Sequence, residues 1–355
     1  MITKPLTEET FLDAQSVIMA RFPKAALAVL EKTMANPLRA ECSEIGDIAY
    51  EDSGRPVGFR AANRRRMHFF QEPILGRVRG LTCRLADSSK EVMPALCQAQ
   101  MTNLRGCQIA FSNTQSIPTA KRAAKMGASA GPVSCTRMLC RIINPLRYCA
   151  YFLVERMLKM DILKISCLKS IALKQYERRD GEYTIRRELK VRADFFDCLM
   201  ENYLKTNEGL VSDRDSTSIS WLFGTEIENS NVILLTAQVK RQGVGYIALK
   251  TDDLARHWLI IDLFALKNDQ IILEILLRSA IDFLTGCPSA LIIKTIGFPD
   301  FIQPLLKKYL PHVRNTGVNW FSYNFLNQEL ALKFKNTESM NRSWFFGPFD
   351  GDLCM

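Results

Sequence analysis

GCQIAFSNTQSIPTAKRAAKMGASAGPVSCTRMLCRII, residues Gly106 to Ile143, decides how the first half of this chain folds. Cys107 to Ser112 is short and mostly apolar, which suits a buried strand. Asn113-Thr114-Gln115-Ser116 supplies turn and N-cap chemistry, and Pro118 falls in a first helical turn, where its missing N–H costs little. That helix, 118–126, stops at Gly127, a residue suited to the left-handed position after a helix. Pro132 opens the next strand. The order is strand, polar turn, helix, glycine stop, strand. Within it, Gly127-Ala128-Ser129-Ala130-Gly131 matches the G-x-S-x-G nucleophile pattern. A nucleophile elbow needs a strand before the serine and a helix after it. Here the order is reversed, so the segment reads as a helix-to-strand turn.

Upstream, 7–36 reads as two helices around Phe22-Pro23. Gly46 to Glu51 and Pro56 to Arg60 read as strands joined by Asp52-Ser53-Gly54-Arg55, a hairpin turn. A basic stretch follows, then a strand from Ile74 to Ala86 and a helix from Lys90 to Leu104. Downstream, Pro145 to Lys174 carries Leu158, Ile162, Ile165, Leu168 and Ala172 at helical spacing. Its basic residues are spread around the helix, which fits a bridge between two domains better than a membrane-surface helix. Glu177 to Gly181 reads as a charged link ending it. From Glu182 the first pattern returns. Strands are expected at 183–191, 231–239, 244–250, 258–266, 290–295 and 318–325, and helices at 193–205, 269–284 and 301–309. Gly243-Val244-Gly245 is a hairpin turn, because no helix follows it to make a dinucleotide site.

A chain of 355 residues is long for one core and comfortable for two. No window approaches the roughly 18 uncharged apolar residues of a membrane span, and no apolar stretch follows MITKPLTEET to make a signal peptide. The eleven cysteines are scattered in apolar runs without a Cys-x-x-Cys, as in a reduced cytoplasmic core. Cys135 and Cys140, five apart on an expected strand, point to opposite faces, so no metal site is expected. The net charge is +10. Its basic runs, Arg64-Arg65-Arg66, Lys121-Arg122, Arg178-Arg179 and Arg186-Arg187, are short, far apart and read as solvated faces. A nucleic-acid module concentrates its charge more than this.

Two copies of one mixed α/β topology, joined by a long helix, resemble a bacterial tandem arrangement of the GNAT (GCN5-related N-acetyltransferase) superfamily with a divergent second domain. The residues that carry the resemblance are Asp52 to Phe59, Asn113 and Lys125-Met126-Gly127 in the first half. In the second they are Arg214 to Leu222, Gly243 to Leu249, and the closing Trp344, Asp350 and Asp352. The resemblance implies domains at 1–145 and 182–355 with a helical linker, 146–181. It also implies transfer of an acyl group from acetyl-CoA or a longer acyl-CoA, or from an acidic acyl-carrier protein, to a small-molecule amine. Leu85, Ala86, Lys90, Val92, Asn113 and Lys121 then fall at the donor, and His68, Glu72 and Asp87 are the candidate bases. The first half departs from the family at two points, and in the second half the usual Trp-Arg has become Trp221-Leu222. Asp87 to Met93 has no glycine and adds Asp87 and Glu91 where pyrophosphate would lie, and Ala123 stands where a Tyr acid is usual. A degenerate GNAT-fold protein that binds a ligand or partner without catalysis is the alternative.

Overall fold

The computed structural model describes residues 1–23, 26–39, 45–102, 106–113, 121, 124–125, 127–157, 174–251, 255–317, 319–336 and 344–350. In the first half the chain forms β1 (Ile2–Pro5), α1 (Phe11–Met19), α2 (Ala26–Met34), β2 (Gly46–Tyr50), β3 (Pro56–Phe69), β4 (Glu72–Arg84), α3 (Val92–Thr102), β5 (Ile109–Asn113), β6 (Ser129–Ala130) and β7 (Arg137–Ile142). Then come α4 (Pro145–Tyr151), β8 (Glu177–Asp180), β9 (Tyr183–Glu188), α5 (Ala193–Leu204), β10 (Leu210–Ser212), α6 (Ser216–Glu228), β11 (Val232–Val239), β12 (Gln242–Thr251) and β13 (His257–Ala265). The last elements are α7 (Gln270–Thr285), β14 (Ile292–Ile296), α8 (Gln303–Tyr309), β15 (His312–Asn315), β16 (Phe321–Phe325), α9 (Gln328–Asn336) and β17 (Trp344–Phe345).

These elements make two mixed sheets of one design. The first runs β1-β2-β3-β4-β5-β16-β6 and the second β8-β9-β11-β12-β13-β14-β7-β15. Along these orders each is antiparallel except at one central pair, β4 with β5 and β13 with β14. The sheets trade a strand. β7, from the first half, fits between β14 and β15, while β16, from the second half, fits between β5 and β6. A third tie is β10, which pairs with the end of β3 and then with β17.

Local chemistry accounts for much of this. Gly54 (φ +83°) closes the β2–β3 hairpin and Gly127 (φ +80°) takes the left-handed conformation expected of it. The β3–β4 and β11–β12 hairpins turn on Phe70-Gln71 and Lys240-Arg241, all at positive φ. Asn144 caps α4 by accepting from the Arg147 N–H. Phe152–Met157 continues that helix in a wider π turn, and the rest of the expected long helix, 158–173, lies outside the described residues. So does the helix expected at 118–126 apart from Lys121, Ala124 and Lys125, and so does Ala123.

Three expectations are corrected. The charged link Glu177–Asp180 is an edge strand, β8, paired with β9; four charged residues suit a strand that must not recruit another. Cys135 is buried in a 3-10 turn, Val133–Thr136, and shares no strand with Cys140. Arg64, Arg65 and Arg187 are buried, not solvated. The basic stretch lies inside β3, whose 14 residues run past it to Phe69. No helix among the described residues is long and apolar enough to cross a membrane.

The strand exchange makes the halves interdependent. A fragment of residues 1–145 lacks β16, so β5 and β6 lose their shared neighbour. It is expected to show no cooperative thermal transition by circular dichroism, whereas the whole chain melts cooperatively.

Candidate active site

Two clefts follow from the sheet design. In the first sheet β4 and β5 pair only where Gly76–Val78 meets Ile109–Phe111. Beyond Val78 the strands part, and β4 bulges: Arg79 faces Ala62 and Thr82 faces Arg60, so Gly80 and Leu81 together face Ala61. A parted pair leaves backbone donors and acceptors aimed into the gap, and these need partners. Gly80, Leu81 and Thr82 stay half-buried there.

The second sheet repeats the geometry with a different outcome. β13 and β14 pair only over His257–Leu259 and Ile292–Lys294, and β13 bulges at Ile261. Here Ile260 to Ala265 is wholly buried. The chain's own closing segment lies against both strand ends. The Phe345 ring is 5.1 Å from that of Phe264 at the end of β13. A Cβ on Gly347 would sit 3.2 Å from Phe298, just past β14.

That segment is held by a buried charge network. Arg214, 0% exposed, donates from Nε to Asp262 at 2.9 Å and from Nη1 to the Ser212 carbonyl at 2.9 Å, and lies 3.5 Å from Asp350. Phe349 stacks 4.3 Å from its guanidinium. The Tyr246 hydroxyl donates to Asp262 at 2.5 Å, and Asp350 accepts from the Gly347 N–H at 2.8 Å. Burial pulls the Arg214 pKa down, but Asp262 and Asp350 outweigh it and hold it above its ordinary value. Burial raises the Asp262 carboxyl against the pull of Arg214. Asp350 is thus a structural tie, and Asp352 lies outside the described residues.

The turn after β4, where the resemblance expects a donor pyrophosphate, is partly satisfied from within. The N–H groups of Ser88, Glu91 and Val92 donate to the Leu85 carbonyl, the Ser89 hydroxyl and the Ser89 carbonyl. Arg84 donates to the Ser88 carbonyl at 2.8 Å. An anion at a helix start needs such N–H groups for itself. Asp87 is exposed and ion-paired with Arg55, which lowers its pKa through that hydrogen bond. Ala86 and Lys90 are exposed; the half-buried Leu85 donates its N–H to Val57. Val92 is core: its Cγ1 would lie 2.3 Å from a Cβ on Gly58. Asn113 ends β5 opposite Phe321, and Lys121 is exposed.

The candidate bases are not brought together. His68 and Glu72 lie at the hairpin end of β3 and β4, and Asp87 lies beyond the other end of β4. From Pro73, opposite His68, to Arg84 is 11 residues of strand, about 35 Å at the usual rise. His68 Nε2 is 2.8 Å from Asp213, a partner that sequence reading missed although Asp213-Arg214-Asp215 stands out. Asp213 lines a cavity of about 150 Å3 with Arg66, Thr217 and Trp221. Glu72 lines a larger one, about 450 Å3, with Phe69, Phe70 and Leu330. Ser129 is in strand β6 opposite Tyr323, in no nucleophile elbow. No cluster of metal-ligating side chains occurs among the described residues.

The fold is similar to that of solved structures described as GCN5-related N-acetyltransferases. A GCN5-related N-acetyltransferase from Kribbella flavida aligns with 92% of this chain and 71% of its own, at TM-score 0.54 and 11% identity. One from Anabaena variabilis aligns with 92% and 73%, at 0.52 and 12%. The N-myristoyltransferase of Saccharomyces cerevisiae, solved with bound myristoyl-CoA and inhibitors, aligns with 91% and 79%, at 0.54 and 12%. No protein-family model and no curated protein sequence matches the chain.

Arg214 sets a clear expectation. Arg214→Ala strands two buried carboxylates and is expected to cost about 3–5 kcal/mol in urea unfolding, while Arg214→Met costs less because it refills the volume.

Proposed function

We propose that the chain is an N-acyltransferase whose donor enters the cleft of the first sheet. The observation that carries this reading is the open parting of β4 from β5 after Val78, with its bulge at Gly80 and Leu81, while the matching cleft of the second sheet is filled by the closing segment. An acyl thioester laid in this gap places its carbonyl oxygen against backbone N–H groups of β4. These stabilise negative charge as it develops on that oxygen. The amine nitrogen then bonds to the carbonyl carbon, the C–S bond breaks, sulfur leaves as thiolate and takes a proton, and the amine proton passes to water at the half-open edge. Holding both partners in one cleft lowers the entropic part of the barrier. The donor is an acyl-CoA or acyl-carrier thioester, the acceptor a small amine.

A second reading has its own observation. The 85–91 turn spends the Ser88 and Glu91 N–H groups on its own oxygens and presents Asp87 and Glu91, which favours a ligand-binding protein without turnover. Release of free thiol from acetyl-CoA and longer acyl-CoAs, with a panel of amines, separates the two. The first reading predicts amine-dependent release; its absence with every donor and amine, alongside measurable acyl-CoA binding by calorimetry, favours the second.

Repulsion between like charges about 4 Å apart is about 1 kcal/mol in water. Glu91→Gln is therefore expected to lower KM for acyl-CoA up to about fivefold, with kcat little changed. An unchanged KM would mean that the donor phosphates lie elsewhere.

A further inference from the structure

One face of the β3–β4 hairpin gathers arginines under α3. In register, Arg60 faces Thr82, Ala62 faces Arg79 and Arg64 faces Arg77. Side chains directly opposite point to the same face, so Arg60, Arg64, Arg77 and Arg79 share it, at 8, 6, 1 and 7% exposure. Arg60 donates to Cys97 of α3 at 3.1 Å, and Arg77 to the Gln100 carbonyl at 3.4 Å and towards Asp47, 3.9 Å away. Arg79 differs from these. Its carbonyl accepts from Ser112, but its guanidinium makes no hydrogen bond or ion pair among the described residues, and its Nε is buried without a partner. Burial, and then Arg60 and Arg77, draw its pKa down to about 10, which still leaves it charged near neutrality.

The chain supplies little to balance this. Residues 92–154, which include α3 and β5, contain no Asp or Glu. Asp47 lies within ion-pair reach of Arg77. A buried cation without a counter-charge is strongly disfavoured, and a planar guanidinium fork matches phosphate or carboxylate oxygens. Arg79 is also the residue next to Gly80, where β4 leaves β5 and the edge becomes half-exposed. Arg79 therefore lies at the closed inner end of the cleft, the first residue of β4 past its last pair with β5.

We propose that Arg79, flanked by Arg60 and Arg77, is an oxyanion site that receives a phosphate or carboxylate group of the acceptor. Assigning the group to the acceptor rests on the acyl-transfer reading; the site itself does not. The acceptor is then an anionic amine, such as an amino phosphate or an amino acid.

The test is calorimetry and thermal unfolding of the whole chain with inorganic phosphate, phosphoethanolamine, glycine and CoA, at constant ionic strength. Wild type is expected to bind phosphate and phosphoethanolamine saturably and to gain in Tm. Arg79→Met should weaken this binding about tenfold or more, the scale of a lost charge-assisted contact. In oxyanion-free buffer the same variant should melt at or above the wild-type temperature, because a buried uncompensated charge has gone. Arg79→Lys, which keeps the charge without the fork, should fold and bind with intermediate affinity. The proposal fails if no oxyanion shifts wild type, or if phosphate acts equally on wild type and both variants. Loss of Tm in Arg79→Met by the same amount with and without phosphate would overturn it too. CoA displacing phosphate from wild type but not binding Arg79→Met would move the group to the donor and overturn the acceptor assignment. Thiol release, measured separately, decides the acyl-transfer reading whatever the outcome here.

Discussion

Arg214 is the charge on which the two halves turn. It follows β10, the short strand laid along the first sheet, and its guanidinium reaches Asp262 in the second sheet and Asp350 in the closing segment. All three are fully buried. An ion pair so placed is not a large net source of stability, because desolvation offsets most of the attraction. Its consequence is geometric. A buried carboxylate must find its cation, so the closing segment has one place to lie, and Phe345 and Phe349 are carried into the second cleft with it. The apolar stacking of those rings on Phe264 and Phe223 then supplies what the charges alone do not.

The asymmetry of the two clefts follows. Both sheets part after three parallel pairs and both bulge just beyond, so the backbone offers the same gap twice. In the second half the gap is filled by aromatic side chains from the chain's own end. In the first half the matching residues stay half-exposed, and buried arginines, not rings, lie beside them. The strand exchange fixes this arrangement: β16 closes the first sheet only because the second half has folded against it, and β7 repays the second sheet in kind.

Much of this was legible in the residues. Gly54 and Gly127 occupy the left-handed positions their contexts demanded, and most of the expected strands and helices follow from hydrophobic period and turn chemistry, whereas β10, α6, β15 and α9 were not expected. Partner choice was not legible. Nothing in Arg137 to Ile142 says that it pairs with β14 and not with β6, because alternation specifies a face and not a neighbour. The arginines of β3 read as surface because arginine seldom is buried; Arg60 is covered by α3, and Arg65, on the other face, by Trp221 and Phe349. His68 showed itself as a candidate, but Asp213, 145 residues away, could be joined to it only through β10. The filling of the second cleft by residues 344–349 is a tertiary fact.

The claim that the first cleft takes the donor while the second is closed is tested most directly by hydrogen exchange on the whole chain with and without a non-hydrolysable acyl-CoA thioether. Protection at Gly80–Thr82 and in the turn at 85–92, with 260–269 and 344–350 unchanged, is the predicted result. Protection confined to 260–269, or faster exchange at 344–350 as the closing segment is displaced, would contradict it.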